Sequence, residues 1–253
     1  MRKRLKSFCV VITSVFIYLL HLPFAFAKSA TGNKLFFHPS ESLTKLSDHP
    51  APIISSIKSA YDSLHLDLSG LSQQAFDFAK RGFDKLIVQG RILNDSIISI
   101  VDFSQPSNMK RLYILDIKHY KVLFNTLVAH GKNSGQEWAN SFSNQPSSFK
   151  SSTGFYITGE SYSGNNGYSL KLVGIEKGIN DNAWQRSIII HGAGYVSESY
   201  IAAQGYIGRS EGCPAVPEGK AVPIINTIKD GTCLFIYHPN QLHFRHSFLL
   251  NQS

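Results

Sequence analysis

Arg111–Gly131 reads RLYILDIKHYKVLFNTLVAHG, and its composition sets the fold class. Ile, Val, Leu, Tyr and Phe crowd it, residues that suit a pleated, half-buried surface. Five further runs share the character: SIISIVDFS (Ser96–Ser104), GFYITGESYSG (Gly154–Gly164), YSLKLVGIE (Tyr168–Glu176), RSIIIHGA (Arg186–Ala193) and TCLFIYHP (Thr232–Pro239). Gly/Asn/Ser/Pro clusters separate them, as turns separate strands. Many short strands with turn signals predict a mainly β fold, a β-sandwich or a partly open barrel. GESYSGNNGYS (Gly159–Ser169) reads as a Gly/Asn hairpin loop.

Upstream the period changes. From Ile53 to Val88 apolar residues recur at spacings of three and four, Ala75, Phe78, Ala79 and Phe83 being one such set. That spacing predicts a helix with one face on a core. Ser69-Gly70 interrupts it, and the second helix is expected to start near Ser72, whose hydroxyl can cap the first turn. EGKAVPIINTIKDG (Glu218–Gly231) reads as a short helix ending at Gly231. No internal repeat is visible. The organisation expected is a helical segment over 53–94, a β domain over 95–240 and an unplaced tail over 241–253.

The first residues do not belong to that core. Met1 to Lys6 hold Arg2, Lys3, Arg4 and Lys6, and an apolar run from Phe8 ends in Ala25-Phe26-Ala27. A basic start, a short apolar middle and a small-x-small end describe a secretory signal over 1–27, cut after Ala27. The alternative is a retained anchor, since about 19 mostly apolar residues can just span a bilayer. Export to the periplasm or cell envelope is the expectation. Residues 28–52 are Ser/Pro/His-rich and read as linker. Without the signal, 21 Lys+Arg stand against 17 Asp+Glu, a mild balance of +4. It excludes little beyond repulsion of anionic surfaces. No clustered Lys/Arg with interleaved aromatics occurs, so no nucleic-acid partner is expected.

Two cysteines remain after the signal, Cys213 and Cys233. Cys233 lies in a strand-like apolar run and reads as a core thiol. Cys213 sits between Gly212 and Pro214 in GRSEGCPAV, 22 residues after His191, which ends the run RSIIIH. An unpaired thiol flanked by glycine and proline in an oxidising compartment invites a chemical explanation. An imidazole within hydrogen-bond reach can take its proton, then return it to a leaving amine. Main-chain N–H groups of Gly212 and Cys213 would face a developing oxyanion. The alternatives are a Cys213–Cys233 bridge, a zinc site using His130, His191 and Cys213, or a strand, a turn and a buried thiol. The spacing matches no zinc signature.

Strand, His-Gly, about two dozen residues and Ser-x-Gly-Cys together resemble the YkuD-type L,D-transpeptidases. AHGKNSG (Ala129–Gly135), FSNQPSS (Phe142–Ser148), STGFYITG (Ser152–Gly159), NDNAWQRSIIIHGAGYVSE (Asn180–Glu198) and GRSEGCPAV (Gly208–Val216) extend the likeness. They look like the murein L,D-transpeptidase catalytic domain family over residues 65–238. The resemblance implies that Cys213 is the nucleophile and His191 the base. It places the oxyanion hole at the Gly212 and Cys213 backbone and a hydroxyl contact at Ser210. The implied substrate is a peptidoglycan tetrapeptide stem. It is cleaved beside its terminal D-residue through a thioester that a second stem's amine, or a wall-linked lipoprotein, resolves. Water as acceptor would make it an L,D-carboxypeptidase, and loss of activity would leave a wall-binding protein. No metal or organic cofactor is implied.

Arg209, Gly192, Tyr195 and His130 are the further cleft candidates. Arg186 differs from His191 by five positions, so strand parity sends it to the other side and marks it as structural. Two departures from the family pattern stand out. Glu211 occupies the place where many relatives have His or Lys, and is expected to point outward or pair with a cation such as Arg209. Pro214-Ala215 follows the cysteine where many relatives carry Arg or Asn.

Overall fold

The helix predicted from Ser72 onward is α1, Gln73–Val88. It is seen in a computed structural model that describes residues 60–239 and 245–251. The signal, the linker and the start of the helical segment lie outside the described residues. Ser72 Oγ accepts the Ala75 N–H at 3.1 Å, which satisfies one of the donors a helix start leaves open. Ala75, Phe76, Ala79, Gly82, Phe83 and Leu86 form the buried face. Phe78 stands on the flank of that face, with its ring 6.2 Å from that of Tyr237.

Eight strands follow: β1 Ile97–Asp102, β2 Leu112–Asp116, β3 Lys121–Thr126, β4 Gly154–Gly164, β5 Gly167–Gly174, β6 Ile189–Ala193, β7 Ala215–Pro217 and β8 Cys233–Tyr237. They make one sheet in the order β3-β2-β1-β8-β4-β5-β6-β7. The β1–β8 and β6–β7 pairs are parallel and the others antiparallel. The central strands are covered on both faces. Ile98, Ile100, Tyr113, Leu115, Phe235 and Tyr237 pack with α1. Val101, Leu112, Ile114, Tyr156, Leu234 and Ile236 pack on the other side with Ile224, Ile225 and Ile228. Burial on both faces explains why these strands read as unbroken apolar runs rather than alternating ones.

The sheet nearly closes into a barrel. Beyond β3 the chain crosses to the far edge, where Ala129 N–H donates to Ala215 O at 2.8 Å and Ser210 N–H to His130 O at 3.0 Å. A parallel bridge joins Gly131 and Ser210. Two short helices cover the β6–β7 end, α2 (Glu198–Gln204) and α3 (Glu218–Ile228), and α4 (Phe248–Asn251) lies against α1. The helix expected over Glu218–Gly231 therefore closes at Ile228, and Gly231 (φ +96°) completes the turn into β8. The single run Arg111–Gly131 proves to be two strands. Its turn lacks Gly and Pro because Asp116 builds it, accepting the His119 N–H at 3.1 Å while Tyr120 takes φ +51°. The hairpin loop expected over Gly159–Ser169 shortens to Asn165-Asn166, since Gly164 pairs with Gly167.

Candidate active site

His191 lies on β6 between Ser169 of β5 and Ala215 of β7. Ile188 and Ile190 point into the core, so His191 shares the other face with Ile189. Its Nδ1 is 3.0 Å from Gly192 O. A carbonyl only accepts, so Nδ1 carries the proton and Nε2 keeps the lone pair a base needs. Gly192 is a packing residue. A Cβ there would stand 3.0 Å from Ala221 Cβ and 3.1 Å from Glu218 Cα, so its smallness lets α3 approach β6. Gly192, half-buried, thus has a packing role beside the substrate contact expected of it.

Cys213 enters β7 one strand away and two residues before the partner of His191. Both Cys213 and Cys233 are free thiols, which removes the bridge. Gly212 has φ +128°, and a Cβ there would lie 2.8 Å from Lys150 O and 3.0 Å from Ile188 Cδ1. Only glycine fits this backbone at that distance. Ser210 Oγ accepts the Gly212 N–H at 3.1 Å and donates to Cys213 O at 2.7 Å. Two expectations change here. Ser210 is buried and holds the turn rather than meeting substrate. The Gly212 N–H is spent on it, so that amide is not an oxyanion donor.

The sulfur donates to Ser187 O at 3.7 Å, a long contact. Among the described residues no hydrogen bond joins Cys213 to His191; the sulfur has the Ser187 carbonyl and the Ile189 amide, and Nδ1 has the Gly192 carbonyl. Catalytic contacts are often slack before substrate binds. Burial pushes the Cys213 thiol up; the Ile189 amide and the Arg186 guanidinium pull it down, and Glu211 opposes them. Glu211 does point outward, but its cation is Lys132 at 2.8 Å. Arg209 donates instead to Gly135 O at 3.1 Å. Tyr195 stands by the thiol: burial, then the Cys213 and Glu211 charges, raise its phenol to about 12.

His130 does not line the cleft. Its ring is fully buried. Arg111 Nη2 donates to Nδ1 at 2.7 Å, and Nε2 faces Gly135 O at 3.3 Å. Burial, with the Arg111 charge second, holds this imidazole down to about 3. It is a neutral strut under the 131–135 turn. Arg111 is also wholly buried, and burial lowers it to about 9. Arg186, which strand parity marks as structural, and Lys150 O stand against Gly212, and Ser187 O accepts from the sulfur.

Two depressions meet at Ser187. One, of about 260 Å³, is walled by Tyr162, Lys171, Trp184 and Ile189. The other, of about 220 Å³, is walled by Pro146, Phe149, Arg186 and Glu211. A larger groove of about 560 Å³ runs past Ala193 and Pro217, beyond His191. Among the described residues no three His, Cys, Asp or Glu side chains gather to hold a metal.

A profile of the L,D-transpeptidase catalytic domain matches residues 67–237. The chain belongs to that family. Solved structures with a similar trace include an L,D-transpeptidase from Mycobacterium smegmatis (11% identity, TM-score 0.36, covering 56% of this chain and 59% of that one). Another is L,D-transpeptidase 1 of Mycobacterium tuberculosis (11%, 0.33, 56% and 62%). A third is a mutant of the helical cell shape determining protein Pgp2 from Campylobacter jejuni (13%, 0.40, 63% and 54%). The chain thus spans about three fifths of the length of these structures or less. No curated protein matches it. Within the L,D-transpeptidase domain, Cys213 and His191 hold the positions on which the Ser-x-Gly-Cys and His-Gly resemblance rests.

Proposed function

We propose that the chain is an exported peptidoglycan L,D-transpeptidase using Cys213 as nucleophile and His191 as base and acid. One observation carries the reading. A free thiol is set by a glycine-only turn, two residues before the β7 partner of an imidazole whose Nε2 lone pair is available, with two depressions meeting at the carbonyl next to the sulfur.

His191 takes the thiol proton, and the thiolate attacks the carbonyl that joins the L-centre to the terminal D-residue of a stem. With the Gly212 amide committed to Ser210, the Cys213 N–H is left to meet the developing oxyanion. The C–N bond breaks, the imidazolium returns its proton to the leaving amine, and a thioester remains. A second stem's amine then attacks the thioester and gives its proton to His191. The new amide forms and the thiol is restored.

Purified protein incubated with tetrapeptide stems, with products read by mass spectrometry, tests this. Cross-linked dimers that vanish in Cys213→Ala and fall by about 10²-fold or more in His191→Ala are expected. Undiminished turnover in Cys213→Ala would reject the mechanism, and shortened stems without dimers would make water the acceptor.

A further inference from the structure

Strand parity marks Arg186 as structural, yet the turn before β6 brings its guanidinium against Gly212, the residue before the cysteine. Its Nη1 donates to Ser143 O at 2.7 Å and to Ser152 Oγ. Its Nη2 donates to Lys150 O and to Ser148 Oγ at 3.3 Å. All four η N–H groups are thereby fixed on the 143–152 segment. The same Nη2 would stand 3.2 Å from a Cβ on Gly212, so the cation presses on the residue before the cysteine. Among the described residues no carboxylate is ion-paired with it.

The backbone around this contact is unusual. Ser147 (φ +56°), Phe149 (φ +53°) and Ser187 (φ +53°) all adopt the left-handed region, and all line the depression beside Arg186. Such conformations persist only where the surroundings over-determine them, and they gather at functional sites. Arg186 supplies that over-determination, tying both sides of the depression to one guanidinium.

We propose that Arg186 is the positioning residue of the thiol: the fixed cation that favours the Cys213 thiolate and sets the approach of the 143–152 segment over Gly212. The inference rests on the nucleophile reading above. Charged and titratable neighbours of the sulfur are few. Arg186 favours the anion, Glu211 opposes it while tied to Lys132, and Tyr195 stands neutral. His191 lies two residues along the neighbouring strand. A guanidinium stays charged across the working range and is suited to holding several acceptors at once.

The test is the rate of iodoacetamide alkylation against pH, read at the Cys213-containing peptide, in wild type, Arg186→Gln and Arg186→Lys. Arg186→Gln should lower the rate at pH 7 about tenfold, a rise of roughly one unit in the titration midpoint, with the high-pH limiting rate unchanged. Arg186→Lys should restore most of the pH 7 rate. A Gln variant with the wild-type midpoint, or one slowed equally at every pH, would overturn the proposal by leaving Arg186 a purely structural tie. The fold should survive, because Ser151 N–H still donates to Ser134 Oγ at 2.9 Å and Asn133 N–H to Phe149 O at 3.1 Å. If circular dichroism shows that the Gln variant does not fold, the Lys variant decides. A wild-type midpoint with a lower melting temperature supports the role, and a midpoint raised by a unit refutes it. The titration reads the thiol whether or not it is catalytic, so turnover by Cys213→Ala would reject the nucleophile reading separately.

Discussion

A thiol pushed up by burial is a poor nucleophile at neutral pH unless fixed charges and dipoles offset that cost. At Cys213 the offset comes from the Ile189 amide and Arg186, and Glu211 works against it. The sign is explicit. Removing the Glu211 charge lowers the thiol pKa, so more thiolate is present at pH 7. Glu211→Gln should therefore raise the alkylation rate about twofold at low salt, and added salt should shrink the gain because that carboxylate is exposed. Gly212→Ala should go the other way. With φ +128° and Lys150 O 2.8 Å from the new Cβ, the turn must move, and stem turnover should be lost while the fold persists. Cys213 and His191 stand out in the sequence by their flanking glycines and by the family resemblance. Arg186 does not, because parity assumes a regular strand. Here β6 begins only at Ile189, and Ser187 turns the chain just before it.

Among the elements, α1 shows what sequence period can and cannot give. The N-cap at Ser72 and the face of Ala75, Ala79 and Phe83 were readable. Ser72→Ala should cost about 1 kcal/mol, roughly 2–4 °C in thermal melting, since the Ala75 N–H loses its acceptor. Gly82 is less obvious. Alanine favours helices, yet a Cβ there would lie 2.0 Å from Phe155 Cζ. That ring is stacked on Phe235 at 4.2 Å and has little room to yield. Gly82→Ala should thus destabilise by about 1–3 kcal/mol in denaturant unfolding despite its better propensity. Parallel pairing, strand order and the Asp116 turn were hidden. Pairing partners are set by long-range packing, and that turn uses a side-chain acceptor in place of Gly or Pro.

For the whole molecule, the expectation is a mainly β fold, a sandwich or a partly open barrel, and the described residues form a mainly β, nearly closed sheet. Closure depends on the segment after β3, and beneath it lie Arg111 and His130, both fully buried. His130 is held down to about 3 when folded, mainly by burial. An unfolded histidine binds its proton near pH 6.5, so between about 6.5 and 3 the unfolded chain carries the extra proton. Stability should then fall on acidification through that window, by up to about 1.4 kcal/mol per pH unit from this group. His130→Gln should flatten the slope measured by denaturant unfolding at pH 4 to 7. An unchanged slope would show that His130 does not set it.

The central claim is a covalent one, and intact-protein mass after brief incubation with a tetrapeptide stem tests it most directly. The wild type should gain the mass of the stem less that of the released D-amino acid, which carries away the thiol's proton, mapped to Cys213, and Cys213→Ala should gain nothing. A wild type that turns over stems without any adduct, or an adduct that persists in Cys213→Ala, would contradict the account.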